Sequence, residues 1–403
     1  MVAFKTIDDI ELRGKRALVR VDLNVPMKDG RVSESSRIEG AARTIEELAQ
    51  GGARVIVLSH FDRPKGKIVP AMSLAPLVGP LSEALGGRPV GFAGDCIGEK
   101  TREAAARLGE GEVLLLENLR FHAGEEANDA AFAGALAELG DLYVNDAFSA
   151  AHRAHASTVG LARLLPAAAG RLMQAELEHL EKALGDPARP LGAIVGGAKV
   201  STKLALLGNL IAKVDCLIIG GGMANTFLYA QGIEIGSSLC ERDMAQTARD
   251  ILAKAERSGC RVLLPMDALV APALAPGVKT RTVPLSRILP DEMILDIGPG
   301  SVEAVIAQLE ALRTLVWNGP VGAFETPPFD RGTNEIAREV AHRTASGKLL
   351  SVAGGGDTVA ALAHAGVLDR LSYVSSAGGA FLEWLEGREL PGVAALTFKD
   401  PSP

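Results

Sequence analysis

Residues 171–190 read RLMQAELEHLEKALGDPARP, and this stretch separates two series of short apolar segments. Its first part has the composition of an uninterrupted helix, and GDPARP then ends that helix with one glycine and two prolines. We therefore predict a connecting helix over residues 171–185, followed by a rigid turn. The chain would then form an N-terminal lobe over residues 1–170 and a C-terminal lobe over residues 186–390, with the tail, residues 391–403, packing back on the N-terminal lobe.

On both sides of this stretch, apolar β-branched runs alternate with longer segments of helical period. The runs before it are residues 16–21, 54–59, 113–118 and 142–145, and those after it are residues 192–197, 216–221, 261–265, 314–319 and 349–355. The helical patterns include residues 36–50, 129–139, 242–258, 301–313 and 333–344. Continuous apolar strands are typical of parallel sheets covered on both faces. The pattern predicts an α/β fold of two doubly wound parallel-sheet, Rossmann-like lobes joined by a long helix and a hinge. The last stretch of the chain has little helix signal.

Composition narrows the function classes. The chain has 403 residues, of which 47% are hydrophobic and 23% charged, which is typical of a globular protein. Its formal net charge of −7 gives no general attraction to nucleic acid or to an anionic membrane, so neither is an expected partner. Four scattered cysteines argue against a disulfide framework or a zinc site. Because we find neither a signal peptide nor an apolar run long enough to span a membrane, we expect a cytoplasmic protein.

Arginine recurs in the turns that follow the apolar runs of the N-terminal half. The set is Arg20, Arg37, Arg63, Arg120 and Arg153. One such arginine would be an ordinary surface charge, but five at equivalent strand ends of an acidic protein predict a converging anion pocket. Guanidinium groups suit phosphate and carboxylate because they donate two parallel hydrogen bonds.

The same turns carry other polar side chains. Asp22 and Asn24 alternate with apolar residues, so we expect both to leave the same face of a strand and to bind a hydroxyl-bearing substrate, unless they only cap a turn. His60, His122, His152 and His155 also lie in these turns. No cysteine or carboxylate completes a recognised ligand spacing with them, so we do not expect a histidine metal site.

Glycine runs follow the apolar segments of the C-terminal half. They are VGGAKVSTK (195–203), GGGMANTF (220–227), WNGPVGAFE (317–325), AGGGDT (353–358) and SSAGGAF (375–381). Glycine lets a backbone approach a ligand closely, and a helix that starts there directs N–H groups at phosphate. The patterns GxxxxGK[ST] and GxGxxG are not matched, which disfavours a P-loop or a dinucleotide site.

Three charged residues in these runs suit nucleotide chemistry. Lys199 and Lys203 are four residues apart, so we expect them to share one face of a helix that begins near Val200. Asp357 follows three glycines at a predicted helix start, where it could hold a Mg²⁺ carried by nucleotide phosphates. The alternative for Asp357 is a plain helix N-cap.

Taken in order, RVDLNVP, ENLRF, AHRAH, GGAKVSTK, GGGMANTF, WNGPVGAFE and GGGDT resemble the phosphoglycerate kinase family over roughly residues 16–385. The resemblance implies an ATP-dependent enzyme of glycolysis with 3-phosphoglycerate on the N-terminal lobe and Mg-nucleotide on the C-terminal lobe. It implies reversible phosphoryl transfer from 1,3-bisphosphoglycerate to ADP, giving 3-phosphoglycerate and ATP, by direct in-line transfer after lobe closure. These small molecules and Mg²⁺ would be its partners, and we expect a monomer.

The resemblance also implies roles for individual residues. Substrate binding falls to Asp22, Asn24, Arg37, His60, Arg63, Arg120 and Arg153. Nucleotide binding falls to Lys203, Glu325, Gly354, Gly355, Gly356, Asp357 and Thr358, with Glu325 on the ribose and Asp357 on the metal. The catalytic group comprises Arg37, Lys199, Gly378 and Gly379.

Two positions depart from the family pattern. Phe61-Asp62 stands where Leu-Gly is common, which adds a carboxylate beside the phosphate pocket, and Ala377 stands where a third glycine is usual. A non-catalytic protein with an anion-binding lobe and a nucleotide-binding lobe is the competing interpretation. Cations at the point of transfer, Arg37 and Lys199, favour the enzyme. An oxidoreductase is less favoured because its fingerprint is missing.

Overall fold

A computed structural model describes residues 4–397, which fall into two compact units. The first contains the chain up to Glu178 together with the segment from Glu389 onward, and the second contains His179–Arg388. The division falls inside the helix Arg171–Leu180, which continues as a π-helical turn, Glu181–Gly185. Within residues 4–397, no helix has the length and apolar character required to cross a membrane.

The first unit is built on a six-stranded parallel sheet. Its strands are β1 (Arg16–Arg20), β4 (Arg54–Leu58), β5 (Val90–Ala93), β6 (Val113–Leu116), β7 (Leu142–Asn145) and β8 (Ala167–Ala169), and a hairpin adds β2 (Met27–Lys28) and β3 (Arg31–Val32). The sheet order is β5-β6-β4-β1-β7-β8. Its helices are α1 (Ser36–Gln50), α2 (Val78–Ala84), α3 (Glu99–Arg107), α4 (Ala123–Glu126), α5 (Ala130–Ala137), α6 (Leu161–Leu164), α7 (Arg171–Leu180) and, from the returning segment, α15 (Pro391–Ala394).

The second unit has its own six-stranded parallel sheet. Its strands are β9 (Leu191–Val195), β10 (Cys216–Ile219), β11 (Arg261–Leu263), β15 (Thr314–Asn318), β16 (Leu350–Gly354) and β17 (Tyr373–Ser375), in the order β11-β10-β9-β15-β16-β17. A separate antiparallel sheet contains β12 (Asp267–Ala271), β13 (Arg281–Pro284) and β14 (Met293–Ile297). The helices are α8 (Leu204–Leu210), α9 (Gly221–Ala230), α10 (Ala245–Arg257), α11 (Pro299–Ala311), α12 (Arg331–Ala345), α13 (Gly356–His364) and α14 (Gly378–Leu385).

The predicted α/β class with two parallel sheets is confirmed. Eight strands in the described part of the chain were not predicted. They are β2 and β3 of the hairpin, the edge strands β5 and β17, the alanine run β8, and β12–β14 of the antiparallel sheet. The expectation of little helix in the tail is wrong, since α15 begins at Pro391. A proline is tolerated at this position because the N–H that it lacks would have no partner in the first turn of a helix. The N–H of Gly392 donates to Ala151 O at 2.8 Å, and Thr397 bridges Phe4. Residues 398–403 of the predicted tail lie outside the described residues.

Asp146 connects β7 to the start of α7. Its Oδ1 accepts the N–H groups of Leu172, at 2.8 Å, and Met173, at 3.1 Å, which are otherwise unpaired donors of the first helical turn. Burial raises the pKa of Asp146 to about 7, although these hydrogen bonds favour the ionised form. The first turn of α7 therefore depends on a carboxyl group that is costly to ionise.

We expect Asp146 to make the unfolding free energy decrease between about pH 4 and about pH 7. The unfolded side chain loses its proton near pH 4 and the folded one near pH 7, so the folded state holds more protons in that window. Asp146→Asn keeps an acceptor oxygen without the ionisation. It should flatten this pH dependence by an amount on the order of 4 kcal/mol in denaturant titrations at a series of pH values.

Asp141→Asn is the matched control, because hydrogen bonds from Arg16 lower the pKa of Asp141. Its stabilising effect is present above the unfolded pKa and is lost as the pH falls through the folded pKa. An unchanged pH profile in Asp146→Asn would show that Asp146 ionises without cost to the fold.

Candidate functional site

Arg37, in the first turn of α1, connects the two polar residues that follow β1. Its Nη1 donates to Asp22 Oδ2 at 3.2 Å and to the backbone oxygen of Asn24 at 2.7 Å. Asp22 also accepts the hydroxyl of Ser149 at 2.5 Å. The prediction that Asp22 and Asn24 share a strand face is wrong, because β1 ends at Arg20 and both residues lie in the loop beyond it. Arg37 brings them together instead.

The loop after β4 joins this group to Arg120. The N–H of Asp62 donates to Asn24 Oδ1 at 2.9 Å, and the backbone oxygen of Asp62 accepts Arg120 Nη1 at 2.8 Å. Asp62 has a φ of 51°, in the left-handed region that glycine, asparagine and aspartate tolerate best. The Asp62 side chain is exposed, so its carboxylate lies at the rim of the cluster. The Asp62 backbone binds two of the predicted site residues, Asn24 and Arg120.

His60 is a neutral histidine inside the basic cluster. It is buried, and its Nδ1 lies 2.9 Å from Arg20 Nη2. Burial holds the pKa of His60 well below its usual value, and the nearby guanidinium groups of Arg20, Arg120 and Arg153 lower it further. A guanidinium can only donate, so Nδ1 accepts and the proton of the neutral ring resides on Nε2. His60 therefore has an N–H donor that stays neutral at physiological pH.

Arg20 does not belong to the accessible anion pocket where the sequence pattern placed it. Its side chain is fully buried, with Nε donating to Ser157 Oγ at 2.9 Å and Nη1 donating to the backbone oxygen of Val21. Ser157 Oγ in turn donates to Glu125 Oε1 at 2.6 Å, and burial raises the pKa of Glu125. Ser157 and Glu125 were not predicted, since neither follows a strand directly. Arg20 therefore positions the His60 ring through its hydrogen bond to Nδ1.

The remaining predicted arginines differ in exposure. Arg120 is only 3% exposed. Burial is the main cause that lowers the pKa of Arg120, and the positive charges of Arg153 and Arg20 lower it further. Arg153 is half-buried, and its charge acts on both His60 and Arg120, which places it beside them. Arg63 follows Asp62 and is exposed. The first unit thus brings together Asp22, Asn24, Arg37, His60, Arg120 and Arg153, with Arg63 next to them in the chain.

In the second unit, a cleft of about 320 Å³ opens where β9, β15 and β16 end. The residues that line it are Gly196, Gly197, Ala198, Lys199, Thr202, Lys203, Asn318, Gly319, Gly355, Gly356, Asp357, Thr358 and Leu382. Six of the predicted residues are among them. Gly378, at the start of α14, borders the cleft, since a Cβ there would lie 3.9 Å from both Gly355 and Gly356. Gly354 lies behind the lining, and neither Glu325 nor Gly379 belongs to it.

The two lysines reach this cleft from different elements. Lys199 lies in the loop after β9, while Lys203 ends a 3₁₀ turn, Ser201–Lys203, that precedes α8. The predicted shared helix face is therefore wrong, because no helix includes Lys199. The Nζ of Lys203 contacts Asn318 Oδ1. Burial lowers the pKa of Lys203, while Asp357 and Glu386 act in the opposite direction.

Part of the glycine pattern reflects backbone packing rather than ligand binding. A Cβ on Gly196 would lie 1.8 Å from the backbone oxygen of Pro320, and one on Gly319, whose φ is +99°, would lie 2.3 Å from Gly196 O. The loops after β9 and β15 thus touch through their main chains. At the start of α9, the N–H of Gly221 donates to Val321 O and that of Met223 to Gly197 O, both at 2.9 Å. These α9 donors serve protein carbonyls.

The start of α13 differs from that of α9. Gly355, with a φ of 96°, is the N-cap, so the N-capping alternative for Asp357 is wrong. Asp357 is instead the second residue of the helix, with an exposed side chain that lines the cleft. The hydroxyl of Thr358 donates to Gly354 O at 2.8 Å and accepts the N–H of Gly319 at 2.7 Å, so it holds β15 and β16 together. A positive helix end, two lysines and one carboxylate thus meet at one cleft.

Comparisons with known proteins agree with this geometry. The family model described as Phosphoglycerate kinase matches residues 7–388. A phosphoglycerate kinase of Methylorubrum extorquens is 62% identical over 397 residues, covering 98% of this chain and 99% of the relative. One of Granulibacter bethesdensis is 61% identical over 395 residues, covering 98% and 100%. The structure of phosphoglycerate kinase from Coxiella burnetii matches with a TM-score of 0.91 at 42% identity and covers 98% of this chain and 99% of its own. The chain belongs to the phosphoglycerate kinase family.

Proposed function

We propose that the two groups of residues described above divide between them the reaction of the family, the reversible transfer of a phosphoryl group from 1,3-bisphosphoglycerate to ADP. The observation that carries the proposal is the pairing, in one chain, of a basic cluster with a cleft that holds two lysines and a carboxylate at a helix start. Neither group alone suits phosphoryl transfer, which needs an acceptor site and a phosphate site.

The basic cluster of the first unit is the proposed site for 3-phosphoglycerate. Arg120, Arg153 and Arg63 would hold its phosphate, since guanidinium groups bind phosphate through paired hydrogen bonds. Asp22 and Asn24 would contact the glycerate part, and the neutral N–H of His60 would donate to it. Arg37 is connected to both Asp22 and Asn24 by its own hydrogen bonds, so it could adjust together with the bound glycerate.

The cleft of the second unit is the proposed site for the nucleotide. The N–H groups at the start of α13, at Gly355, Gly356 and Thr358, would face the phosphates, and Lys203 would neutralise them. Gly354 would support that loop from behind. Glu325 is exposed beyond the cleft, where it would receive the ribose hydroxyls.

The same cleft fits a magnesium ion carried by the nucleotide. Mg²⁺ prefers oxygen ligands and is usually held by one or two carboxylates, with waters and phosphate oxygens completing its shell. Asp357 supplies one exposed carboxylate at the cleft. Bound there, the ion would neutralise charge on the phosphate oxygens.

Catalysis would come from positioning and from cations at the point of transfer. We assign Arg37 and Lys199 to the migrating phosphoryl group, because each is charged, accessible and attached to its own group of binding residues. Gly378 and Gly379 begin α14 beside Gly355 and would offer backbone N–H groups.

A coupled assay on the full chain with 3-phosphoglycerate, ATP and Mg²⁺ tests the proposed function. ADP formation that depends on 3-phosphoglycerate is the expected result. Nucleotide binding without turnover would favour the non-catalytic alternative. The proposal includes a monomer in the cytoplasm that binds no nucleic acid; four cysteines without disulfide partners favour that compartment.

Arg37 and Arg120 should differ in kind when each is changed to lysine. Lysine keeps the charge but loses the planar fork. Arg120 is buried and would hold the phosphate that is not transferred, so Arg120→Lys should mainly raise KM. Arg37 would contact the group whose charge changes in the transition state, so Arg37→Lys should lower kcat about a hundredfold with little change in KM. If steady-state kinetics show that both variants shift only KM, the catalytic role of Arg37 is wrong.

Asp357→Asn should reduce turnover by about tenfold or more and raise the Mg²⁺ concentration needed for half-maximal rate, because the ion loses a charged ligand. Stability should change by less than about 1 kcal/mol, since Asp357 is exposed, is not the N-cap, and acts only through the helix dipole and the nearby charge of Lys203. Asp369→Asn, which changes an exposed carboxylate in the same unit, is the control. It should leave turnover, its Mg²⁺ dependence and stability unaltered. Normal turnover of Asp357→Asn at every Mg²⁺ concentration would remove Asp357 from the metal site.

Asp62→Asn should strengthen binding of 3-phosphoglycerate by roughly threefold, because it removes one like charge from the rim of the anion cluster. Asparagine tolerates a φ of 51°, so the backbone contacts to Asn24 and Arg120 should persist. Asp29→Asn is the matched control, since Asp29 is also exposed with a φ of 51° but lies in the β2–β3 turn. Calorimetry at low and high salt should show the gain shrinking with ionic strength. Equal affinities for Asp62→Asn and the native chain would contradict an electrostatic role.

A further inference from the structure

Three side chains that the proposed function does not use converge where the chain continues beyond Arg120. Asp95 and Cys96 lie in the turn between β5 and α3, and His122 immediately precedes α4. The Nε2 of His122 lies 2.7 Å from Asp95 Oδ1. One carboxylate oxygen, one ring nitrogen and the Cys96 sulfur all lie within 4.8 Å of one another. Spacing could not reveal this group, because His122 is distant in sequence from the Asp-Cys pair.

We propose that Asp95, Cys96 and His122 form a binding site for a thiophilic divalent cation of the Zn²⁺ class. Thiolate, imidazole and carboxylate are the three ligand types that Zn²⁺ takes in proteins, usually in tetrahedral geometry. Three protein ligands leave a fourth position for water. The sulfur disfavours Mg²⁺ and Ca²⁺, which prefer oxygen ligands. The site is independent of the proposed function.

The three side chains of the cluster differ in burial, and the cluster is open to solvent on one side, so an ion could enter. Cys96 is fully buried, His122 is half-buried and Asp95 is exposed, so the group opens to solvent on the Asp95 side. The His122 ring stacks on Phe132 of α5, with ring centroids 5.2 Å apart, which restrains the ring. The N–H of Cys96 donates to Asp95 Oδ1 at 2.7 Å and restrains the carboxylate. Two of the three ligands are therefore already oriented.

The charges around Cys96 favour a cation there. Burial raises the pKa of the Cys96 thiol well above its usual value, and the carboxylates of Asp95 and Glu125 raise it further. The His122 ring is paired with the Asp95 carboxylate. A divalent ion would displace the thiol proton and offset the negative charge of both carboxylates.

Bound metal would also connect two segments of the first unit. Asp95 and Cys96 precede α3, whereas His122 is two residues beyond Arg120 in the chain. An ion held by all three residues would cross-link these segments and raise the unfolding temperature.

Cobalt titration of the full chain in its reduced form tests the site, because Co²⁺ reports thiolate ligation and low coordination number through its absorption. We expect one equivalent of Co²⁺ to give a thiolate-to-cobalt charge-transfer band and visible bands typical of four ligands. Zn²⁺ should abolish both bands, and excess Mg²⁺ should not. The charge-transfer band should be lost in Cys96→Ala and retained in Cys240→Ala, a partly exposed cysteine outside the cluster.

Two further variants keep the test decisive if Cys96→Ala folds poorly. Asp95→Asn changes an exposed side chain and should fold normally, and His122→Gln keeps a polar side chain; each should weaken Co²⁺ binding at least about tenfold. Zn²⁺ should raise the unfolding temperature of the native chain and of Cys240→Ala but not of Asp95→Asn. Two results would overturn the proposal. One is the absence of the charge-transfer band in the native chain, and the other is an affinity for Co²⁺ in Asp95→Asn and His122→Gln equal to that of the native chain.

Discussion

The buried guanidinium of Arg20 is the constraint on which the basic cluster depends. A charge removed from water must be matched on every side by acceptors, or its desolvation costs several kcal/mol. Ser157, the backbone oxygen of Val21 and the ring of His60 each accept from it. Glu125, reached through Ser157, supplies the opposite charge. Satisfying this one side chain thus determines which nitrogen of His60 carries the proton.

In the second unit the corresponding constraint lies in the main chain. The loops after β9 and β15 approach so closely that Gly196 and Gly319 leave no room for side chains, and α9 directs its first N–H groups at neighbouring carbonyls. The glycine runs of this unit therefore have two causes. Some permit close packing, and others, such as Gly356, where a Cβ would meet no atom within 4 Å, leave space open at the cleft. Only the second kind has donors available for a ligand.

These distinctions explain what the sequence could and could not predict. The bounds of α1, Ser36–Gln50, were predicted correctly because its period brings Ile38, Ile45 and Leu48 to one buried face. The antiparallel strands β13 and β14 were missed because Pro284 and Asp296 interrupt the continuous apolar runs that are typical of parallel strands, and β12 of the same sheet was missed with them. At the sites, residue types were informative but directions were not. An arginine at a strand end can face inward, as Arg20 does, and lysines four residues apart share a face only if a helix includes both.

The return of the chain to the first unit has a consequence for protein synthesis. The second unit is continuous in sequence, so all of its residues are available once Arg388 has left the ribosome. The first unit begins earlier but is completed later, because α15 and the bridge between Phe4 and Thr397 come from a segment translated after Arg388. The nascent first unit therefore lacks α15 until the whole second unit has been translated.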